Sequence, residues 1–131
     1  MTTRVLVVDD TDHVRTMLVD ILRLHGFDVV GQAANGNDAV TRVGELSPDI
    51  IVMDYKMPGI DGVETSRQIR EVVDDQRIIL YSAFIDGQLR DRARDVGVAV
   101  CIPKGAGVEA LATEISALVM DLGEDGNAQS R

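Results

Sequence analysis

Asp9-Asp10, Asp54, Ser82 and Lys104 each follow a run of apolar residues: Val5-Leu-Val-Val8, Ile50-Ile-Val-Met53, Ile78-Ile-Leu-Tyr81 and Val98 to Ile102 with Pro103. Continuous apolar strands belong to parallel sheets covered by helices on both faces. In such a sheet all strands leave at one edge, where open α/β sheets bind ligands. Three carboxylates gathered there repel each other, and one or more takes up a proton unless a cation neutralises them. Oxygen donors without His or Cys point to a hard divalent ion, foremost Mg²⁺. With coordination positions left for phosphate oxygens, Asp54 suits the part of a carboxylate nucleophile on phosphorus, forming an aspartyl phosphate. Lys104 brings a mobile positive charge to one phosphoryl oxygen and Ser82 a hydroxyl donor to another. Together the parts amount to in-line phosphoryl transfer by positioning and charge neutralisation.

Taken singly, each residue has a plainer reading. An Asp after a strand serves as a turn residue or helix cap, Ser82 as a cap for the segment before Asp86, and Lys104 as a solvated side chain. Asp54 is harder to dismiss, because Pro58-Gly59 forces a turn after it and Asp61-Gly-Val-Glu64 reads as a helix cap with an acid three residues on.

Five strand–helix units are needed to bring these ends together. The strands are expected at 4–8, 27–32, 49–54, 77–81 and 98–102, in parallel order with right-handed crossovers. Thr11 or Asp12 caps a first helix whose Val14, Met17, Leu18, Ile21 and Leu22 repeat at helical spacing, with Gly26 as its stop. Asn35-Gly-Asn37 is a loop, and 38–46 a short helix with Ala39, Val40, Val43 and Leu46 as its buried stripe, ended by Ser47-Pro48. A third helix runs from Val63 to about Val73, and a charged one from Asp86 to Val96 sets Arg90, Arg92 and Arg94 against Asp91 and Asp95. Val108, Leu111, Ile115, Leu118 and Leu122 mark the last.

A chain of 131 residues with 45% hydrophobic and 27% charged residues is sized for one domain with its own core. A net charge of −9 leaves no electrostatic footprint for nucleic acid or an anionic membrane. The single Cys101 excludes an internal disulfide and a cysteine zinc site, and fits a reducing, cytoplasmic compartment. No apolar run approaches membrane-spanning length, and the amino terminus lacks a signal-peptide h-region. The nine residues 123–131 are polar and read as a disordered tail or the start of a linker.

Val5-Leu-Val-Val-Asp-Asp10, Met53-Asp-Tyr-Lys-Met-Pro-Gly-Ile-Asp-Gly62, Leu80-Tyr-Ser-Ala-Phe84 and Ile102-Pro-Lys-Gly-Ala106 jointly resemble the receiver domain of bacterial two-component response regulators. The resemblance covers residues 4 to about 122, within a receiver domain taken as 1–122. It implies a flavodoxin-like (βα)5 fold, strand order 2-1-3-4-5. It makes Asp54 the phosphoacceptor from a histidine kinase or histidine phosphotransfer protein. Mg²⁺ would be held directly by Asp10 and Asp54, by Asp9 mainly through water, and by the Lys56 carbonyl. Ser82 matches the switch hydroxyl and Lys104 the family's lysine. The protein would be a switch rather than an enzyme with a separate substrate, changing the face formed by its fourth helix, fifth strand and fifth helix. Output would pass to a protein target or to an effector domain absent from this chain. Two departures stand out. Cys101 occupies the position, three before the lysine, where receivers usually carry a Tyr or Phe ring that swings with the switch hydroxyl. Proline precedes Lys104 instead of following it.

Two rivals come from other classes. A Mg²⁺-dependent phosphohydrolase with an Asp nucleophile, of the haloacid-dehalogenase type, usually needs a second acid two residues on, where this chain has Lys56. A pseudo-receiver would act purely as an interaction module and never bind phosphate. His13 and His25 are expected at the surface near helix ends, without a chemical role. The arginine-bearing helix is expected to be a solvated face.

Overall fold

The computed structural model describes residues 2–129, from Asp121 onward as backbone only. The chain alternates β1 (Arg4–Val8), α1 (Asp12–Leu24), β2 (Asp28–Ala33), α2 (Gly36–Leu46), β3 (Ile50–Met53), α3 (Gly62–Val72), β4 (Arg77–Ser82), α4 (Gly87–Asp95), β5 (Val100–Pro103) and α5 (Val108–Gln129). All four strand pairings are parallel, in the order β2-β1-β3-β4-β5. That is the doubly wound α/β sheet expected.

Period-two alternation divides the core into two layers. Val5 and Val7, Ile50 and Val52, and Ile79 and Tyr81 face Leu18, Leu22, Leu111 and Ile115 of α1 and α5. Leu6 and Val8, Ile51 and Met53, and Ile78 and Leu80 face Val43, Ile69, Leu89 and Ala93 of α2, α3 and α4. Nearly every residue of the three inner strands is therefore buried on one face or the other, which is why they read as unbroken apolar runs.

Three expectations need correction. Met17 is half exposed, while Val19 is buried. The buried face of α1 centres on Leu18 and Leu22, and Met17 lies roughly 100° around the helix from Leu18. Thr11 occupies the N-cap position of α1 but makes no side-chain cap bond; its backbone N–H donates to Asp9 Oδ1 at 2.9 Å. The sequence reading ends the last helix near Leu122, whereas α5 continues to Gln129, no proline standing in its way. Ser130 and Arg131, the end of the expected tail, lie outside the described residues.

His25 closes α1 and is exposed as expected, yet it has partners. Its Nδ1 lies 3.0 Å from the Ile21 carbonyl oxygen and its Nε2 3.2 Å from Glu109 Oε1 on α5. The Ile21 carbonyl first, and Glu109 second, raise the imidazole above its ordinary 6.5. Because the folded value is the higher one, the clasp contributes its full stability below about pH 6.5, and that contribution is lost as pH rises through the folded value. An NMR titration of the ring protons is expected to give an apparent pKa above 6.5. Glu109→Gln should bring it down without returning it fully, since the Ile21 carbonyl remains.

Candidate phosphoryl-transfer site

The ends of β1, β3 and β4 and the start of the turn after β5 meet at one sheet edge, as parallel pairing requires. Asp9 stands one residue past β1 and is almost wholly buried at 1% exposure, whereas its neighbour Asp10 is exposed. Asp54 stands one residue past β3, and its backbone N–H extends the ladder to Val8 O at 3.0 Å. Ser82 is the last residue of β4 and buried, opposite Pro103 in the register with β5. A proline is tolerated at that position because β5 is an edge strand. Lys104 opens the 3₁₀ turn Lys104–Ala106.

The Lys104 ammonium is not solvated on its own. Its Nζ donates to Asp9 Oδ2 at 2.9 Å and to Asp54 Oδ2 at 3.0 Å. Burial alone would lower its pKa, but the two carboxylates outweigh that and raise it. The lysine thus stays charged throughout the neutral range. The remaining oxygens are also engaged: Asp9 Oδ1 accepts from Thr11 N–H, and Asp54 Oδ1 from Tyr55 N–H at 2.7 Å. Oxygens of Asp9, Asp10 and Asp54 lie within 4.8 Å of one another, the one such acidic group among the described residues. Three oxygen donors at that spacing, from exposed Asp10, part-buried Asp54 and buried Asp9, fit a hard divalent cation better than a soft one. The lysine supplies one positive charge against three negative ones, so net negative charge remains to attract such an ion.

The loop after Asp54 is closed by backbone. Gly62 N–H donates to Tyr55 O at 2.7 Å, and Gly59 takes φ +80° in the turn that Pro58 begins. Asp61 caps α3, its Oδ1 accepting from Glu64 N–H at 2.9 Å. Glu64 does not return the bond; its carboxylate accepts from Arg67 and Gln68 instead.

Beside Asp54 opens a cavity of about 310 Å³ between this loop and α4, walled by Lys56, Ser82, Phe84 and Leu89. Its outer wall is α4, whose arginines are exposed as expected of a solvated face, yet two of them have partners on other elements. Arg92 donates from Nη1 to the Tyr55 hydroxyl at 2.9 Å, sits 5.8 Å from that ring's centroid and lies 3.7 Å from Asp61. Arg90 donates to the Cys101 carbonyl at 3.0 Å, and only Arg94 pairs within the helix, with Asp91. Asp86 caps α4, its Oδ1 accepting from Leu89 N–H at 2.8 Å. Cys101 itself is buried on β5, where burial pushes its thiol pKa up despite the opposing pull of Arg90.

Sequence reasoning missed Tyr55 and Arg92 as partners, since nothing in their spacing links positions so far apart. It also missed Arg15, whose guanidinium reaches the Asp9 carbonyl at 2.6 Å; the only signal was an acid, Asp12, three positions before it on the same helix.

Comparison with known proteins converges on one group. The family model of the response regulator receiver domain matches residues 5–116. The chain is 38% identical over 113 residues to the response regulator GacA of Pseudomonas aeruginosa, covering 86% of this chain and 53% of GacA. It is 43% identical over 84 residues to the chemotaxis protein CheY of Bacillus subtilis, covering 64% of this chain and 70% of CheY. A LuxR-family two-component response regulator from Aurantimonas sp. SI85-9A1 superposes with a TM-score of 0.89 at 29% identity, over 92% of this chain and 87% of that one. The chain spans about half the length of the GacA relatives it matches.

Proposed function

Because the chain belongs to the response regulator receiver domain family, we propose that it is a phosphoacceptor switch of a two-component relay, with Asp54 as the acceptor. The observation that carries the proposal is the convergence of Asp54, the buried Asp9 and Lys104 at one sheet edge. A phosphohistidine of a histidine kinase or phosphotransfer protein would be the donor: its N–P bond breaks as an O–P bond forms to the Asp54 carboxylate, and the imidazole keeps the electron pair. Attachment at Oδ2 displaces Lys104 onto a phosphoryl oxygen, while Tyr55 N–H stays with Oδ1. Ser82, at the neighbouring strand end, donates its hydroxyl to another phosphoryl oxygen. Asp10, Asp54, Asp9 through water and the Lys56 carbonyl would hold Mg²⁺, which when bound neutralises charge on the transferring group.

Two arginines connect this chemistry to α4. Arg92 holds Tyr55, next to the acceptor, and Arg90 holds the carbonyl of Cys101 on β5. A new charge at Asp54 shifts the population of the α4–β5–α5 face through these contacts, without a ring at position 101. That face then serves a protein target or an effector unit outside this chain, in the cytoplasm. Among the described residues no helix is long and apolar enough to cross a membrane.

A two-dimensional amide NMR titration with Mg²⁺ and then beryllofluoride, a mimic of aspartyl phosphate, tests the reading. Shifts are expected to begin at Asp10, Asp54 and Ser82 and to spread through α4 and β5. Beryllofluoride shifts confined to the pocket would make the chain a phosphate sink, and no response to either reagent would leave the pure interaction module. Steady turnover of a small phosphate ester would favour the hydrolase.

A further inference from the structure

We infer that Arg15 is a positioning residue for the cation site, fixing the turn that presents Asp10. The inference rests on the Mg²⁺ reading above. Three arms leave this one guanidinium. Nη1 donates to the Asp9 main-chain carbonyl at 2.6 Å, Nη2 to Asp12 Oδ1 at 2.7 Å, and Nε to Gln32 Oε1 on β2 at 3.2 Å. The side chain is 15% exposed, although it carries a full charge. It therefore ties the last residue before Asp10, the first turn of α1 and the neighbouring strand into one unit.

The arms are unequal. Asp12 is 87% exposed, so that ion pair is screened and contributes little. The arm to the Asp9 carbonyl is short, charge-assisted and largely shielded. It acts on the peptide joining Asp9 to Asp10, and that peptide sets the direction in which the Asp10 carboxylate leaves the backbone. Asp9 is also held at its side chain, by Thr11 N–H and Lys104, whereas the Asp10 side chain makes no hydrogen bond among the described residues. Asp10 thus owes its orientation to the backbone, and the backbone there is held by Arg15.

Charge alone predicts the opposite effect. A cation beside a cation site repels the ion, so a guanidinium with only an electrostatic role would weaken Mg²⁺ binding, and its removal would strengthen it. Positioning predicts that removal weakens binding, by about tenfold or more, as for other residues that orient metal ligands. The sign of one measurement separates the two.

The experiment is calorimetric titration with MgCl₂ of wild type, Arg15→Met, Arg15→Lys and Asp12→Ala, with melting of each metal-free protein alongside. Arg15→Met keeps the length of the stem and removes the charge. Expected is an affinity about tenfold lower in Arg15→Met, a partial recovery in Arg15→Lys, which can reach the Asp9 carbonyl but not span all three partners, and a change within about twofold in Asp12→Ala. Unchanged or tighter binding by Arg15→Met overturns the inference. So does full recovery in Arg15→Lys, because spanning the three partners would then not matter, or a lower melting temperature with unaltered Mg²⁺ affinity, which is a structural role alone. If Arg15→Met does not fold, the Lys variant decides by the same criterion. Failure of the wild type to bind Mg²⁺ overturns the site reading itself and this inference with it, and is distinguishable because it appears before any substitution.

Discussion

Asp54→Asn is expected to leave the protein folded, still able to bind Mg²⁺ more weakly, and to abolish its response to beryllofluoride and its labelling by a phosphorylated donor. The amide has no nucleophilic oxygen of carboxylate basicity, so no acyl phosphate forms. Folding tolerates the change because its costs and gains oppose each other. Lys104 loses one charged acceptor, worth about 1.5–3 kcal/mol, but keeps Asp9 at 2.9 Å. Removing one of three clustered negative charges relieves their repulsion. The net change in unfolding free energy is expected within about 2 kcal/mol, read from denaturant curves with an unaltered slope. Phosphoryl incorporation that persists in Asp54→Asn would move the acceptor to another residue and sink the assignment.

Gly62→Ala is expected to damage fold and site together. A β-carbon there would stand 2.4 Å from the Asp54 carbonyl oxygen, 3.0 Å from Tyr55 Cα and 3.1 Å from Leu80 Cδ2. Two of those neighbours are backbone, so no rotamer change relieves the clash; the 55–62 loop must move away from the strand end it closes. The cost is about 2–3 kcal/mol by analogy with overpacked cores, and the displaced Asp54 should show as weaker beryllofluoride binding in the same samples. Gly44→Ala is the control. Gly44 lies inside α2 with open space around its α-carbon, so alanine there is expected to stabilise by about 0.5–1 kcal/mol. Equal stability of the two variants would show that the loop yields freely and that close packing at Gly62 does not hold the acceptor.

Local pattern alone determined the order of elements, the parallel sheet and the residues gathered at its edge. Apolar runs of strand length encode burial on both faces, and strand polarity then leaves topology no choice about where Asp9, Asp54, Ser82 and Lys104 emerge. Element boundaries shifted by a residue or two, as at β2 and β5, where the last ladder bond rather than composition marks the end. The tertiary structure decided what each side chain does once it arrives. Lys104 bridges two acids, Arg92 crosses to Tyr55, Arg15 turns back onto the Asp9 carbonyl, and His25 meets Glu109. The reason is range: periodicity reports which face a residue takes on its own element, whereas these partners are chosen by distances between elements and by a long side chain's reach. Gly62 shows the same limit, since its role comes from a carbonyl eight residues earlier that only the folded loop brings against it.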